Sequence, residues 1–166
     1  MLNTDFGPEY PPIYLDSKIP GEAMSNTQYA FLKKESVPTG KALQKSIDSL
    51  GYDLLLDPEF TPFEDDGFSP CILNGMDDVG FEIFYEPAED VIEDDEEFRK
   101  IAEDNDYCIS MIWRGSFGDC SCAMIVSLAL AKDFGAIISY EGEEPEPIES
   151  LREGVKEALR EFEKES

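Results

Sequence analysis

A chain of 166 residues, of which 42% are apolar, is long enough to bury the core of one globular domain. Its net charge of −25 argues against nucleic acid and anionic membranes as ligands, because both are negatively charged, and favours a basic partner. The sequence contains no histidine, which excludes Ser–His and Cys–His nucleophile pairs and removes the commonest general base near neutral pH.

The N-terminal segment, residues 1–22, is rich in proline and aromatic residues and includes Pro8, Pro11 and Pro12. This composition favours an extended arm over a helix. We expect the arm to lie across the rest of the chain, residues 23–166, which form a single domain. A peptide-like ligand for another protein is the alternative interpretation of the arm.

The first helix is predicted over residues 39–50, because four apolar side chains recur there at helical spacing and Gly51 supplies a C-terminal stop. Short apolar runs separated by turn-forming residues follow at 52–56, 70–73 and 79–85. The last run alternates, which is typical of a strand. These runs predict a meander or a hairpin.

Residues 88–103 open with six carboxylates within nine residues and then place Phe98 and Ile101 three residues apart. Carboxylates in the first turn of a helix interact favourably with the helix dipole. The pattern predicts a short helix that begins near Asp94.

The segment 107–140 predicts a strand, a helix and a second strand. Residues 107–113 alternate, and strand character resumes at 135–140. The run between them is apolar on nearly all sides, which predicts a buried helix over about 119–134 with Asp119 as its N-cap. If the two strands share a sheet in parallel, this helix lies against that sheet.

The last predicted helix, residues 147–163, has an apolar stripe and a polar side where acidic and basic residues repeat at i,i+3. Since these charges neutralise one another, this helix is a poor candidate for binding a basic partner. The elements together predict an α+β fold: a single domain with a mixed sheet of about five strands, the buried helix and the amphipathic C-terminal helix.

The negative charge is concentrated in the middle third of the chain. Between residues 53 and 106, 20 acidic residues face 2 basic ones, so that −18 of the net −25 lies there. A uniformly solubilising surface would distribute its carboxylates more evenly. We therefore expect one localised acidic face.

The first 20 residues have no basic start and no apolar run of signal-peptide length. No window approaches the ~18 apolar residues of a membrane span. A cytoplasmic location without membrane association is expected, and the four cysteines are expected to be reduced thiols.

Cys120 and Cys122 lie near the predicted start of a helix, where the helix dipole lowers a thiol pKa and can make a cysteine reactive. Their spacing matches neither the C-x-x-C redox motif nor the usual zinc-site spacing. Buried, unreactive cysteines are the favoured interpretation, and a redox or metal role is the alternative.

Clustered carboxylates could bind calcium, and residues 57–67 are the best candidate loop, although they lack the order of an EF-hand. Paired carboxylates could also hydrolyse glycosides. No spacing singles out one pair among the 38 acidic residues. We therefore expect no cofactor, no metal and no enzymatic activity.

Trp113 and Arg114 end a predicted strand beside the start of a helix, where the indole and the guanidinium could anchor a partner. The alternative is a packed tryptophan next to a local pair between the arginine and a carboxylate. Gly115 and Gly118 could belong to a phosphate cradle, but the P-loop lysine is absent and the surrounding charge would repel phosphate.

Three stretches carry a resemblance to a known class of proteins: GFEIFYEP at 80–87, WRGS at 113–116 and LALAKDFGAIISYEGEE at 128–144. Together they resemble bacterial immunity proteins of polymorphic-toxin and contact- or secretion-dependent competition systems, in which a strand, an alanine-containing helix and a second strand precede an acidic stretch. The likeness covers residues 80–144, and its motifs are structural, so no functional residue is carried over. It implies a cytosolic inhibitor of a cognate toxin, often a basic nuclease.

Charge and resemblance together predict an acidic protein that inhibits a basic toxin by occluding its substrate-binding surface. The candidate partner-binding residues are the carboxylates of two turns and of the segment that follows them, with one aromatic anchor: Glu64, Asp65, Asp66, Asp77, Asp78, Glu89, Asp90, Glu93, Asp94, Asp95, Glu96, Glu97 and Trp113.

Two other functions are compatible with the same charge. A nucleic-acid mimic that inhibits a DNA-binding protein would space its carboxylates like phosphates along an elongated surface. A toxin inhibitor would instead surround an apolar anchor with a compact acidic patch. An acidic enzyme would need a pocket that holds two carboxylates of different pKa.

Overall fold

The computed structural model describes residues 25–165, in which six strands form one sheet within a single α+β domain. The predicted arm, residues 1–22, lies outside the described residues. The strands are β1 (Asn26–Leu32), β2 (Leu54–Leu56), β3 (Gly67–Leu73), β4 (Met76–Pro87), β5 (Tyr107–Trp113) and β6 (Ile137–Tyr140). Their spatial order is β2-β3-β4-β5-β1-β6, and each neighbouring pair is antiparallel.

Five α-helices complete this part of the chain. They are α1 (Gly40–Leu50), α2 (Ala88–Ile92), α3 (Glu96–Ala102), α4 (Phe117–Phe134) and α5 (Ile148–Glu165). A short 3₁₀ turn, Lys34–Ser36, connects β1 to α1. The predicted α+β class and the predicted C-terminal helix are confirmed.

The sheet corrects the prediction of a mixed sheet of about five strands. β1 is the additional strand, and it lies between β5 and β6. Because both of these are antiparallel to β1, they run in the same direction without pairing with each other. α4 connects them and packs on the sheet, as expected for strands that share a direction.

The sequence pattern does not predict β1, because two of its inward-facing positions are polar. Asn26 and Gln28 are both buried on the same side of the strand as Ala30 and Leu32. The Asn26 Oδ1 accepts a hydrogen bond from the Tyr140 hydroxyl (2.7 Å), which satisfies this buried oxygen. Alternation of apolar and polar residues is therefore lost in a strand at the centre of the fold.

The predicted first helix and the predicted hairpin are confirmed, and each is fixed by local residues. Thr39 is the N-cap of α1, since its Oγ1 accepts from the Ala42 amide (3.1 Å), and Gly51 ends the helix with φ 91°. Asn74 and Gly75 connect β3 to β4 with φ of 51° and 84°. Two positive φ values are the signature of a type I′ turn, which matches the twist of a hairpin.

The N-terminus of the buried helix α4 differs from the prediction. Ser116 is the N-cap, with its Oγ accepting from the Asp119 amide (3.1 Å), and the helix begins at Phe117. Asp119, the predicted cap, lies in the first turn, and its Oδ1 accepts from the Gly80 amide of β4 (3.0 Å). The carboxylate therefore ties the helix to the sheet. The predicted end of the helix at Gly135 is confirmed.

The acidic segment after β4 forms two short helices rather than one. α2 ends at Ile92, and Glu93 then adopts a positive φ of 50°. Asp95 caps α3, because its Oδ1 accepts from the amides of Glu97 and Phe98 (2.9 and 3.2 Å). The predicted helix start near Asp94 thus corresponds to α3.

Helices cover the two faces of the sheet unequally. α1, α4 and α5 bury the inner face together with the main apolar core. α2 and α3 lie on the outer face, where Phe31, Ile92 and Cys108 belong to a second apolar cluster. Neither cluster includes an outward-facing residue of β2 or β3.

Candidate functional site

The uncovered part of the outer face of the sheet is apolar. Along β3, Ser69, Cys71 and Leu73 point inward and are buried, so the residues between them point outward. Phe68 is 63% exposed and Ile72 is 40% exposed. We call the outward-facing side chains Leu55, Phe68, Pro70 and Ile72 the β2–β3 face.

Two backbone relationships organise the β2–β3 face. Leu55 is the cross-strand partner of Ile72, so these two side chains are neighbours on the same side of the sheet. The Phe68 ring lies over Gly80 of β4, and a Cβ added to this glycine would come within 2.6 Å of the Phe68 Cζ. The missing side chain therefore leaves room for the aromatic ring.

The strands and loops that carry this face are uniformly acidic. Residues 53–87 contain ten carboxylates and no lysine or arginine. The ten are Asp53, Asp57, Glu59, Glu64, Asp65, Asp66, Asp77, Asp78, Glu82 and Glu86. Within the described residues, one of them makes an ion pair: Glu82 Oε2 lies 3.9 Å from Arg114 Nη2 on the neighbouring β5.

The candidate carboxylates do not form one compact patch. Asp77 and Asp78 lie at the turn between β3 and β4, whereas residues 64–66 precede the other end of β3. With seven residues at ~3.3 Å each, the strand separates these two groups by roughly 20 Å. Residues 89–97 continue from the far end of β4, so they lie at the same end of the sheet as 64–66.

Three of the candidate carboxylates have structural partners. Asp65 Oδ2 accepts from the Thr61 amide (2.8 Å), and Asp95 caps α3. Glu89 pairs with Arg99 at 3.0 Å, and the hydrogen bond from this guanidinium lowers the pKa of the carboxyl. The other nine make no ion pair within residues 25–165 and are exposed: Glu64, Asp66, Asp77, Asp78, Asp90, Glu93, Asp94, Glu96 and Glu97.

Trp113, the predicted aromatic anchor, is buried. It is 2% exposed and packs beside Tyr140, with ring centroids 6.3 Å apart. Arg114 next to it is exposed and pairs with Glu82. This arrangement corrects the anchor assignment and agrees with the alternative, a packed tryptophan beside a local arginine–carboxylate pair.

An aromatic cluster holds the acidic loop that precedes β3. The Phe63 ring lies 5.5 Å from Tyr107 and 5.7 Å from Tyr85 between centroids, with Lys34 Nζ 5.7 Å from the Phe63 ring. Phe63 has a φ of 72°, which is unfavourable for a bulky residue. The ring contacts compensate for this backbone conformation and fix the position of residues 64–66.

All four cysteines are free and buried. Burial raises the pKa of Cys108 to about 12, and burial also raises the pKa of Cys120 despite its place in the first turns of α4. For Cys122, a hydrogen bond with Cys71 and burial both raise the pKa. Burial of all four side chains agrees with the favoured interpretation, and the raised pKa values of Cys108, Cys120 and Cys122 disfavour their reactive thiolate forms.

Within residues 25–165, no group of three or more Cys, Asp or Glu side chains is placed to hold a metal ion. In the candidate calcium loop, Asp57 Oδ1 accepts from the Glu59 amide (3.0 Å) and Asp65 from the Thr61 amide. These carboxylates stabilise the loop itself. The described helices include none that is long and apolar enough to span a membrane.

Comparison of the chain with protein-family models, curated proteins and solved structures finds no significant match.

Sequence reasoning located the acidic segments but missed the β2–β3 face. The signal was present in residues 67–73, GFSPCIL, which contain the apolar run predicted at 70–73 and carry apolar side chains on both sides of the observed strand. Such a strand is buried on both sides or leaves one apolar side exposed. The sequence does not distinguish these cases, since the covering helices come from elsewhere in the chain.

Proposed function

We propose that this chain is an acidic cytoplasmic binding protein that inhibits a cognate basic toxin by occluding the toxin's substrate-binding surface. One observation carries the proposal: ten carboxylates and no basic residue occupy residues 53–87, around an exposed apolar face on β2 and β3. The resemblance of residues 80–144 to bacterial immunity proteins supports the same function.

The proposed inhibition is electrostatic and steric. Exposed carboxylates such as Asp66, Asp77 and Asp78 pair with the lysines and arginines that a nuclease uses to hold substrate phosphates. Such charges mainly accelerate association, and the affinity comes from a few desolvated contacts. A toxin surface that is occupied in this way cannot bind its substrate.

The apolar face also favours a protein partner over nucleic-acid mimicry. A mimic needs charges spaced like phosphates along an elongated surface, whereas the carboxylates of residues 64–66 and 77–78 lie at opposite ends of β3 with the apolar β2–β3 face between them. An exposed phenylalanine and isoleucine contribute nothing to imitation of a phosphate backbone. They are the kind of residues that a protein interface buries.

Growth rescue tests the proposal. We expect the toxin to be the C-terminal domain of a large protein encoded beside this chain. Its expression should stop growth, whereas co-expression with this chain should restore growth. The purified proteins should bind with an association rate that falls steeply as salt is raised. A toxin domain that remains active at saturating amounts of this chain would refute the proposal.

Charge-reversal variants locate the electrostatic contribution. Asp77→Lys with Asp78→Lys should slow association at low salt more than at high salt. The control reverses two exposed carboxylates of α5, Glu149→Lys with Glu153→Lys, and makes the same change in net charge. Equal slowing by both pairs would show that net charge acts, rather than the acidic surface around the hairpin.

A further inference from the structure

We propose that the β2–β3 face is the docking surface for the basic partner, and that the partner places an apolar side chain flanked by lysine or arginine on it. This inference rests on the proposed function and adds the location and the chemistry of the contact. Exposure, preorganisation, edge closure and charge each support it.

The outer helical layer does not reach this face. α2 contacts β4 and β5, and α3 contacts β6, so the described helices cover only the other half of the outer side. Phe68 and Leu55 remain 63% and 49% exposed. Large exposed apolar side chains that lie together on one rigid surface mark interaction sites more often than isolated ones do.

The face is also preorganised. Its side chains project from paired strands, and the Phe68 ring rests over Gly80, where β4 provides no side chain. A partner that docks here orders few new torsions, so little conformational entropy opposes binding. An aromatic ring held in this way is a typical anchor at the centre of an interface.

Docking occurs on the face rather than by addition of a strand at the edge. β2 is an edge strand, but its outward backbone groups are already occupied by Gln44, which accepts from the Leu56 amide and donates to the Leu54 carbonyl, both at 2.8 Å. A partner strand would first have to displace this side chain. A partner can still pack on the apolar side chains of the β2–β3 face, which project from the outer side of the sheet.

Charge selects the occupant. A second copy of this chain would bring its own carboxylates of residues 53–87 against those of the first copy, and each copy carries a net charge of −25. Like charges in close apposition oppose such a dimer. A partner with lysine or arginine around an apolar side chain can pair its charges with the exposed carboxylates beside the β2–β3 face, which include Asp53 and Asp66, and pack its apolar side chain on the face itself.

Two synthetic probes test this chemistry on the full chain. Both have 12 residues and equal charge; one alternates lysine with leucine and the other alternates lysine with serine. Fluorescence anisotropy should show that the lysine–leucine peptide binds at least about tenfold more tightly, which matches the burial of one large apolar side chain. Equal affinity for the two peptides would overturn the inference.

Variants assign the apolar preference to the face. Phe68→Thr with Ile72→Thr should abolish the preference for the lysine–leucine peptide and leave binding of the lysine–serine peptide unchanged. Threonine is chosen because it has a high strand propensity, so the fold should persist. Met76→Thr is the control, because Met76 is 41% exposed in the same acidic hairpin but pairs opposite the inward-facing Leu73. If the double variant unfolds by circular dichroism, Phe68→Thr alone gives the same test.

Three results would contradict the proposed surface: the double variant keeps its preference for leucine, the control loses it, or the chain dimerises at high salt through Phe68 and Ile72.

Failure of the proposed function is separate. If the wild type rescues growth and the double variant rescues equally well with equal affinity, the surface is wrong and the function stands. If no toxin is neutralised, the function is wrong while the peptides still measure the surface.

Discussion

The side chain of Gln44 on α1 forms a hydrogen bond with the amide of Leu56 that faces the free edge of β2. Its Oε1 accepts from this amide at 2.8 Å, and its Nε2 donates to the carbonyl of Leu54 at 2.8 Å. A side-chain amide thereby supplies the two hydrogen bonds that a neighbouring strand would make. The exposed edge of an apolar sheet is closed against unwanted strand pairing without an additional strand.

Removal of this contact should loosen β2. We expect Gln44→Ala to lower the free energy of unfolding by about 1–2 kcal/mol, because the two hydrogen bonds to β2 and a third to the exposed Asp48 are exchanged for bonds to water. Hydrogen exchange should show faster exchange of the Leu56 amide, which the variant leaves without its acceptor. Lys45→Ala, at the adjacent exposed position of α1, is the control and should change neither quantity. Unchanged exchange at Leu56 would mean that the edge is protected by other means.

Gly80 is the position at which a single methyl group should be most disruptive. A Cβ there would lie 2.4 Å from the Ser69 carbonyl oxygen and 2.6 Å from the Phe68 Cζ, so backbone must move as well as side chain. Gly80→Ala should destabilise the protein by about 1–3 kcal/mol in chemical denaturation. Gly115→Ala is the matched control, because its Cβ would meet no atom within 4 Å. Equal stabilities of the two variants would contradict the close approach of β3 and β4.

Asp119 should make stability depend on pH. Burial raises the pKa of its carboxyl, a hydrogen bond from the Gly80 amide opposes this shift, and the nearby Asp78 adds to it. A carboxyl whose folded pKa lies above the unfolded value stabilises the fold most below the unfolded pKa, and this contribution is lost as pH rises through the folded pKa.

Asp119→Asn keeps an oxygen for the Gly80 amide and removes the partly buried charge. Its stability at pH 7 should therefore equal or exceed that of the wild type, and the difference should vanish near pH 3, where the aspartate is protonated. Asp119→Ala also removes the acceptor and should cost about 1 kcal/mol at either pH. Thermal unfolding at the two pH values measures both. If Asp119→Asn instead lowers the stability at pH 7, the charge is favourable at the N-terminus of α4.

Salt should stabilise this protein. With 38 acidic residues against 13 basic ones, repulsion between carboxylates opposes the folded state more than ion pairs support it. An increase in sodium chloride from ~0.01 M to ~1 M shortens the screening length from about 30 Å to about 3 Å. The Tm in differential scanning calorimetry should therefore rise over this range, with sodium and potassium chloride giving the same result. A falling Tm would indicate that ion pairs dominate.

Much of the fold was predictable where local residues determine it. Gly51 and Gly135 end α1 and α4, and Asn74-Gly75 forms the hairpin turn, so each signal lies within a few residues of its effect. β1 could not be predicted in this way. Its polar inward residue Asn26 is satisfied by Tyr140, 114 residues later, a partner that no local pattern contains.

The candidate site was predictable in charge but not in shape. Composition located the acidic segments, since exposed carboxylates follow from sequence alone. Their relative positions depend on strand pairing, which places Asp77 and residues 64–66 at opposite ends of β3. The exposure of Phe68 and the burial of Trp113 depend on where helices from other parts of the chain pack. Neither could be deduced from the strands that contain them.

The position of β1 has a consequence for how the protein folds. β2, β3 and β4 are consecutive in the chain and are joined by the loop of residues 57–66 and by the turn Asn74-Gly75, so the part of the sheet that carries the acidic and apolar surface can form early from contacts close in sequence. The centre cannot. β1 leaves the ribosome before the other five described strands, but its partners are β5 and β6, and Asn26 pairs opposite Trp113, 87 residues further along. Pairing of β1 with β5 and β6 is the expected slow step of folding. Until it occurs, the newly made chain has one half of its sheet and an unpaired β1.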